Sequence, residues 1–350
     1  MRIGIIGGSG YVGSELLRLL LMHPEVEVTM VTSRQSAGEY VFNLHPNLRS
    51  LTQLKFVPQD LTELQNNCDL VFTATPHGGS VNLVPKLLEV GLKVIDMSAD
   101  FRCTNPKDYE TYYGWAHAHP EMLKEAAYGL PELHREEIKK SKLIACPGCM
   151  ATSAILGLAP IVKADLVDNS KLIVDLKVGS SGGGSKPSLA SHHPERFSGV
   201  RPYQVCGHRH IAEVEQELNA LTSEPVKISF TPHAVNMVRG ILATIHTFPK
   251  QSVAAKDIWK VLRGMYGNEP FIRLVKYQKG PYQLPDPKIT TGTNFCDVGF
   301  EIDEHANRLI MFSAIDNMTK GAAGQGVQCL NLLLGIDETT GLKSTGFHPV

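Results

Sequence analysis

Ile3-Gly4-Ile5-Ile6-Gly7-Gly8-Ser9-Gly10-Tyr11-Val12-Gly13 is the stretch that decides the first half of the fold. Its apolar residues read as a buried strand, its glycines as a tight turn, and Ser14 to Met22, apolar at helical spacing, as a helix. Gly8, Gly10 and Gly13 give G-x-G-x-x-G, in which the missing side chains let the main chain approach a pyrophosphate. The helix start then offers free N–H groups and the positive end of its dipole. A second strand at Val26–Thr32 supplies the context this motif needs, so Gly7, Gly8, Ser9, Gly10, Tyr11, Val12 and Gly13 are candidate dinucleotide contacts. A purely structural glycine turn is the competing reading.

A carboxylate at the end of the second strand would suit the ribose of NAD, but this chain has Ser33 and Arg34 there. That pair predicts NADP, against the alternative of a solvated surface arginine. Strands at Leu70–Thr75 and Lys93–Met97, with a helix over Gly78–Val90, extend the alternation into a doubly wound parallel sheet. Pro76 and His77 fall at a strand's carboxyl end, where such sheets bind ligands; an ordinary loop histidine is the other possibility.

Working outward, 350 residues are enough for two domains, and 43% hydrophobic with 20% charged residues describes a globular chain with a large core. A formal charge of −1 excludes the global basic field of a nonspecific nucleic-acid binder. No apolar stretch approaches the length of a membrane span, and even Leu16–Met22 is split by Arg18. The N-terminus runs straight into a strand without the pattern of a leader, so the expected address is cytoplasmic. Seven scattered cysteines favour reduced thiols over a disulfide framework.

One of those thiols stands out. Lys142–Cys146 reads as a strand, Pro147-Gly148 as a break and Ala151–Lys163 as a helix, which puts Cys149 at a helix start. A free thiol is only about 3% ionised at pH 7, and a helix dipole with a nearby cation raises that fraction. Cys146-x-x-Cys149 also permits a redox pair or half of a zinc site, although the chain has no second C-x-x-C to complete one. No metal is expected.

Ala145-Cys146-Pro147-Gly148-Cys149, the stretches Ile95–Arg102 and Tyr128–Glu132, Gly207–Glu213 and Asp316–Gln325 together resemble the N-acetyl-gamma-glutamyl-phosphate reductase family along essentially the whole chain. The resemblance implies reduction of an acyl phosphate to a semialdehyde by NADPH, with Cys149 as nucleophile. It also implies a Rossmann domain joined to an α+β catalytic domain of glyceraldehyde-3-phosphate-dehydrogenase-like type. Where the family carries Asn three residues before the nucleophile, this chain has Cys146. Lys177–Gly184 and Ser191–Arg196 look most like the branch whose substrates ride on a small acidic amino-group carrier protein, in lysine and arginine biosynthesis.

The residues support that chemistry on their own terms. A thiolate that displaces phosphate forms a thioester, which holds the carbonyl in place for reduction. His208 and His210 precede a helix over Ile211–Leu221, and histidine is the side chain that ordinarily titrates near neutrality; Glu213, three residues past His210, favours His210 as acid/base and His208 as a substrate or phosphate contact. From Lys171 to Arg209 the chain carries six cations against two acids, a local surplus that would attract an acyl phosphate or an acidic carrier. Lys186 and Arg209 within it, and Arg102 with Ser98 before it, are candidate phosphate contacts; a solvated loop, and a salt bridge from Arg102 to Asp96 or Asp100, are the alternatives. Gly179–Gly184 could wrap oxygens or act as a lid, which makes Ser180 and Gly182 candidates.

Strands at Ile173–Val178, Val226–Thr231, Arg239–Phe248, Asp297–Ile302 and Arg308–Ile315, with fewer helices between them, predict an antiparallel α+β second domain. The expected boundaries are 1–148 for the NADP domain, completed by a C-terminal helix over 318–350, and 149–317 for the catalytic domain. Asn317 would lie where those parts meet, either on the nicotinamide carboxamide or as a helix cap. Free N-acetyl-glutamyl phosphate is the alternative substrate; an aspartate-semialdehyde-dehydrogenase-like enzyme and a non-catalytic NADP sensor are remoter readings. A homodimer or homotetramer is expected.

Overall fold

Parallel strands need crossover connections, and helices and long loops supply them throughout the first half of the chain. In this computed structural model, which describes residues 1–348, β1 (Arg2–Ile6), β2 (Glu27–Thr32), β3 (Phe56–Val57), β4 (Leu70–Thr73), β5 (Lys93–Asp96), β6 (Ala127–Tyr128) and β7 (Leu143–Ala145) form one sheet. Their order is β3-β2-β1-β4-β5-β7-β6, with every neighbour parallel. The winding reverses between β1 and β4, and the turns that follow these two strands open on the same crevice. Ile3, Ile5, Val71, Phe72, Val94 and Ile95 are fully buried, as a sheet covered on both faces demands.

The helix expected over Gly78–Val90 forms only at Val84–Glu89. Asp100 is the reason: its carboxylate accepts the amides of Gly78 (2.7 Å), Ser80 (2.9 Å) and Val81 (3.1 Å) and holds that segment as a turn. A tertiary hydrogen-bond set thus overrides local helical propensity.

The second sheet contains β8 (Leu172–Val178), β9 (Arg201–Pro202), β10 (Ile228–Ala234), β11 (Ile241–Thr247), β12 (Ile272–Leu274), β13 (Cys296–Asp303) and β14 (Arg308–Ile315), in the order β12-β13-β14-β11-β8-β10-β9. The antiparallel expectation needs correcting, because β8 pairs β10 and β12 pairs β13 in parallel, which makes the sheet mixed. The chain between β8 and β10 runs through the helix His210–Asn219, and a crossover of that length returns the strand in the same direction. By contacts the chain divides into Met1–Pro147 with Ala322–Lys343, and Gly148–Gly321 with the chain from Ser344. The C-terminal helix is Gly324–Leu334, shorter than 318–350, and ends at Gly335 in the left-handed region at φ 68°. No helix among the described residues is long and apolar enough to cross a membrane.

The helix Cys149–Lys163 is the core of the second unit. Met150 to Val162 are all buried, and Tyr266 donates its hydroxyl to the Leu156 carbonyl at 2.7 Å. Gly157 lets the helix lie close on the sheet, since a Cβ there would sit 2.6 Å from Ile245 Cδ1. Gly157→Val is therefore expected to cost about 1–3 kcal/mol by overpacking. Calorimetry should show the melting temperature falling by roughly 3–10 °C, and an unchanged value would contradict this packing.

Candidate active site

The glycine turn is built as a dinucleotide site needs. Gly7 has φ +83°, and a Cβ there would lie 2.5 Å from the Ala74 carbonyl oxygen. A Cβ on Gly13 would come within 2.6 Å of Gly8 Cα, whereas Gly10 has open space, with its nearest neighbour at 3.7 Å. The outer glycines thus permit close packing, and the middle one leaves room for an approaching ligand. The helix Tyr11–Leu20 begins at Gly10 without a side-chain cap, so its first amides, those of Tyr11, Val12 and Gly13, have no intrahelical acceptor. His45, which no sequence signal pointed to, braces the turn: its Nε2 donates to the Gly8 carbonyl at 2.8 Å, a bond that fixes the neutral tautomer.

At the end of β2, Ser33 donates its hydroxyl to Ser9 Oγ at 3.1 Å and is buried, while Arg34 is exposed. Ser33, Arg34, Ala37, Pro58 and Gln59 line a pocket of about 350 Å³. Pro76 and His77 lie exposed after β4, with His77 edge-on to the Tyr113 ring at 6.0 Å.

In the second unit the structure brings together Cys149, His210 and Glu213. Cys149 is the first residue of its helix, with Gly148 as N-cap, and it is half-buried. Glu213 is fully buried, and its Oε2 accepts the Gly148 amide at 2.8 Å. Its Oε1 is 3.9 Å from His210 Nε2, so carboxylate and imidazole are ion-pair neighbours rather than hydrogen-bonded. The His210 ring occupies the space where a side chain on Gly148 would go, and a Cβ there would run into Nε2. Gly321 packs on the other side, since its own Cβ would be 2.7 Å from Cys149 Cβ.

His208 is held by a hydrogen bond and a ring contact within the second unit. Its Nδ1 accepts the His210 amide at 3.1 Å, and its ring stacks on Phe230 at 5.1 Å. Burial, and after it the charge of Arg209, push its pKa down to about 3. The ring is neutral at working pH and brings no positive charge to a phosphate; it caps the turn that carries His210.

The other sequence candidates separate on contacts. Arg102 is 6% exposed; its Nε donates to the Cys146 carbonyl at 2.6 Å and its Nη2 to Met97 at 3.2 Å. These two bonds brace the main chain that precedes Cys149. Ser98 is buried, and its hydroxyl donates to Asp96 at 2.8 Å. Burial, opposed by the Thr73 hydroxyl, raises that Asp96 carboxyl to about 6. Asn317 uses both ends of its amide inside the second unit, accepting the Gly240 amide at 2.8 Å and donating to Ser181 Oγ at 2.9 Å. Ser180 donates its amide to the Met237 carbonyl, Gly182 follows in the same turn, and Lys186 is exposed.

Residues 2–141 match the family model described as semialdehyde dehydrogenase, NAD binding domain, and residues 149–317 the model described as semialdehyde dehydrogenase, dimerisation domain. The chain belongs to the semialdehyde dehydrogenase family. It is an oxidoreductase with a nicotinamide cofactor. The LysW-L-2-aminoadipate/LysW-L-glutamate phosphate reductase of Saccharolobus solfataricus is 49% identical over 349 residues, covering 100% of this chain and 99% of its own. The enzyme of the same name from Sulfolobus acidocaldarius is 49% identical over 350 residues, with 100% and 99% covered. Among solved structures, aspartate semialdehyde dehydrogenase II of Vibrio cholerae has the same fold, at TM-score 0.69 and 19% identity over 95% of this chain and 98% of that one. Aspartate semialdehyde dehydrogenase of Candida albicans, solved with NADP, gives TM-score 0.70 at 17% identity, again covering 95% and 98%.

Because the imidazole fills the place of a side chain, Gly148→Ala is expected to displace His210 and reduce turnover by roughly 10²-fold, the effect of a displacement near 1 Å. Steady-state rates and a histidine NMR titration would check this; a variant with full activity and an unmoved His210 resonance would refute the contact.

Proposed function

We propose that this chain reduces a carrier-linked 2-aminoadipyl or glutamyl phosphate to the semialdehyde, with NADPH as reductant and a thioester on Cys149. The observation that carries the reading is the seating of His210 against Gly148, beside Cys149 at the start of a buried helix, with Glu213 bound to the same Gly148 amide. The LysW in the names of the two relatives is read as the amino-group carrier.

In this reading the Cys149 sulfur, placed at the positive end of its helix, attacks the acyl carbon, and the C–O bond to phosphate breaks. His210 takes the thiol proton, its protonated ring then donates a hydrogen bond to the thiohemiacetal oxyanion, and the proton returns to the sulfur once the thiolate has been expelled. Glu213 favours the protonated ring through its nearby charge. The nicotinamide, when bound, supplies the hydride that converts the thioester to the aldehyde level. Collapse then frees the aldehyde and regenerates the thiolate.

NADP is preferred to NAD because Arg34 stands exposed beside the hydroxyl-bearing Ser33 on a pocket wide enough for a phosphate. Arg34→Asp is expected to lower kcat/KM for NADPH by roughly 10–100-fold, the worth of one charged hydrogen bond, with NADH affected less. Equal losses with the two cofactors would count against a 2′-phosphate contact. A homodimer or homotetramer is supported by the description of the model that residues 149–317 match.

The substrate reading is tested by following phosphate-dependent NADP reduction with carrier-bound aldehyde and with free N-acetyl-glutamate semialdehyde. Turnover of the carrier-bound form should dominate and be sensitive to salt, because Lys186, Arg196, Arg201 and Arg209 are opposed in that stretch by Glu195 alone. Cys149→Ser should abolish it. Robust turnover of the free aldehyde alone would move the enzyme to the N-acetylated substrate.

A further inference from the structure

The cations between Lys171 and Arg209 fall into two groups. Lys171 is paired with Asp168 at 2.8 Å and Lys177 with Asp175 at 2.9 Å. Arg196 and Arg209 have no carboxylate within 4.0 Å among the described residues, and the Nε of each is shut off from solvent without an acceptor. Arg196 anchors itself by donating Nη2 to the Val178 carbonyl at 3.0 Å. Arg209 sits between His208 and His210, on the turn that starts the helix His210–Asn219.

Tyr203 lies with them. Its amide donates to the Pro232 carbonyl at 3.1 Å, and its ring meets His208 edge-on at 6.1 Å. The hydroxyl's one hydrogen bond goes to Met150 Sδ at 3.8 Å, and a thioether is a weak acceptor. Met150 is the neighbour of Cys149. Burial, and next the charge of the Cys149 sulfur, raise the phenol to about 12, while Arg209 and Arg196 act on it in the opposite sense. The phenol therefore stays a donor, within electrostatic reach of the sulfur and of both guanidiniums.

Two permanently charged forks, each with a buried Nε that has no acceptor among the described residues, and a phenol answered only by a thioether make a surrounding that an anion completes. We infer that Arg196, Arg209 and Tyr203 form an oxyanion-binding subsite beside Cys149, which takes a phosphate or carboxylate group of the acyl substrate. The inference rests on the reading of Cys149 as the acyl-accepting nucleophile and adds where the substrate's charge is held. It also explains why Arg102 can be engaged with main-chain carbonyls without leaving the substrate's charge unmatched.

Alkylation of the full-length enzyme by iodoacetate and by iodoacetamide tests it. Each reagent forms a carbon–sulfur bond and expels iodide, but only iodoacetate carries a carboxylate for the subsite. The ratio of the two inactivation rates, with the label located by mass spectrometry, is expected to favour iodoacetate over its ratio for a free thiol. Arg196→Gln, Arg209→Gln and Tyr203→Phe should each lower that ratio, by roughly tenfold for an arginine, and Arg209→Lys should restore part of it. Because it is a ratio on one sample, a partly misfolded variant does not mimic the effect. Protection by inorganic phosphate but not by glutarate assigns the subsite to the leaving phosphate, and the reverse assigns it to a carboxylate of the acyl chain. A ratio equal to that of a free thiol, unmoved by the three substitutions, overturns the subsite while leaving the nucleophile standing. Label from both reagents landing away from Cys149 overturns the nucleophile as well.

Discussion

The chemistry of the second unit depends on a side chain that is absent. Gly148 has no Cβ, and the His210 imidazole takes up that space, so the ring is fixed against the main chain one residue before the sulfur. The same glycine gives its amide to Glu213, which answers a donor that the start of a helix would otherwise leave unpaired. The helix cannot slide to escape these contacts, since it is buried from Met150 to Val162 and pinned by Tyr266. The Cys149 sulfur, the imidazole and the carboxylate are therefore grouped by a single packed joint.

That joint was only half legible in the sequence. The helix start at Cys149 and the i, i+3 relation of His210 and Glu213 follow from local spacing, which a chain states openly. The meeting of Gly148 with His210 joins residues far apart in sequence, and no local period encodes it. The glycine turn was legible for the opposite reason: strand, turn and helix are contiguous, and Gly7, Gly10 and Gly13 each answer a local steric demand. Burial was the quantity most often misjudged. Arg102 and Ser98 look like surface ligands in a polar motif, yet both are buried and hydrogen-bonded within the first unit. The Gly78–Val90 helix was overestimated because Asp100 competes for its amides. The parallel pairs of the second sheet were missed because pairing direction depends on how a crossover returns, not on strand composition.

The two units solve recognition with different materials. In the first, main-chain amides and missing side chains form the site, with Ser9, Ser33 and His45 as braces. Such a site has little to titrate, because His45 stays neutral under burial. In the second, the working groups are side chains whose protonation matters, and the protein controls which of them carry charge. His208 is held neutral and given a structural hydrogen bond, while its neighbour keeps the position beside the sulfur. Two histidines two positions apart, both buried, thus receive different surroundings.

Depth sorts the cations of the same segment. Lys186 and Arg201 are exposed, and between exposed charges attraction fades within a Debye length of about 8 Å at physiological salt. Arg196 and Arg209 have Nε atoms out of contact with water, so screening ions reach them less. An acidic carrier arriving from solution would meet the first pair, and a small anionic group delivered to the sulfur would meet the second. Salt should then weaken the encounter more than the chemistry, since the two attractions draw on one stretch of chain at different depths. A chain with a formal charge of −1 gains local selectivity in this way, without the nonspecific attraction that a basic protein exerts on every acidic surface.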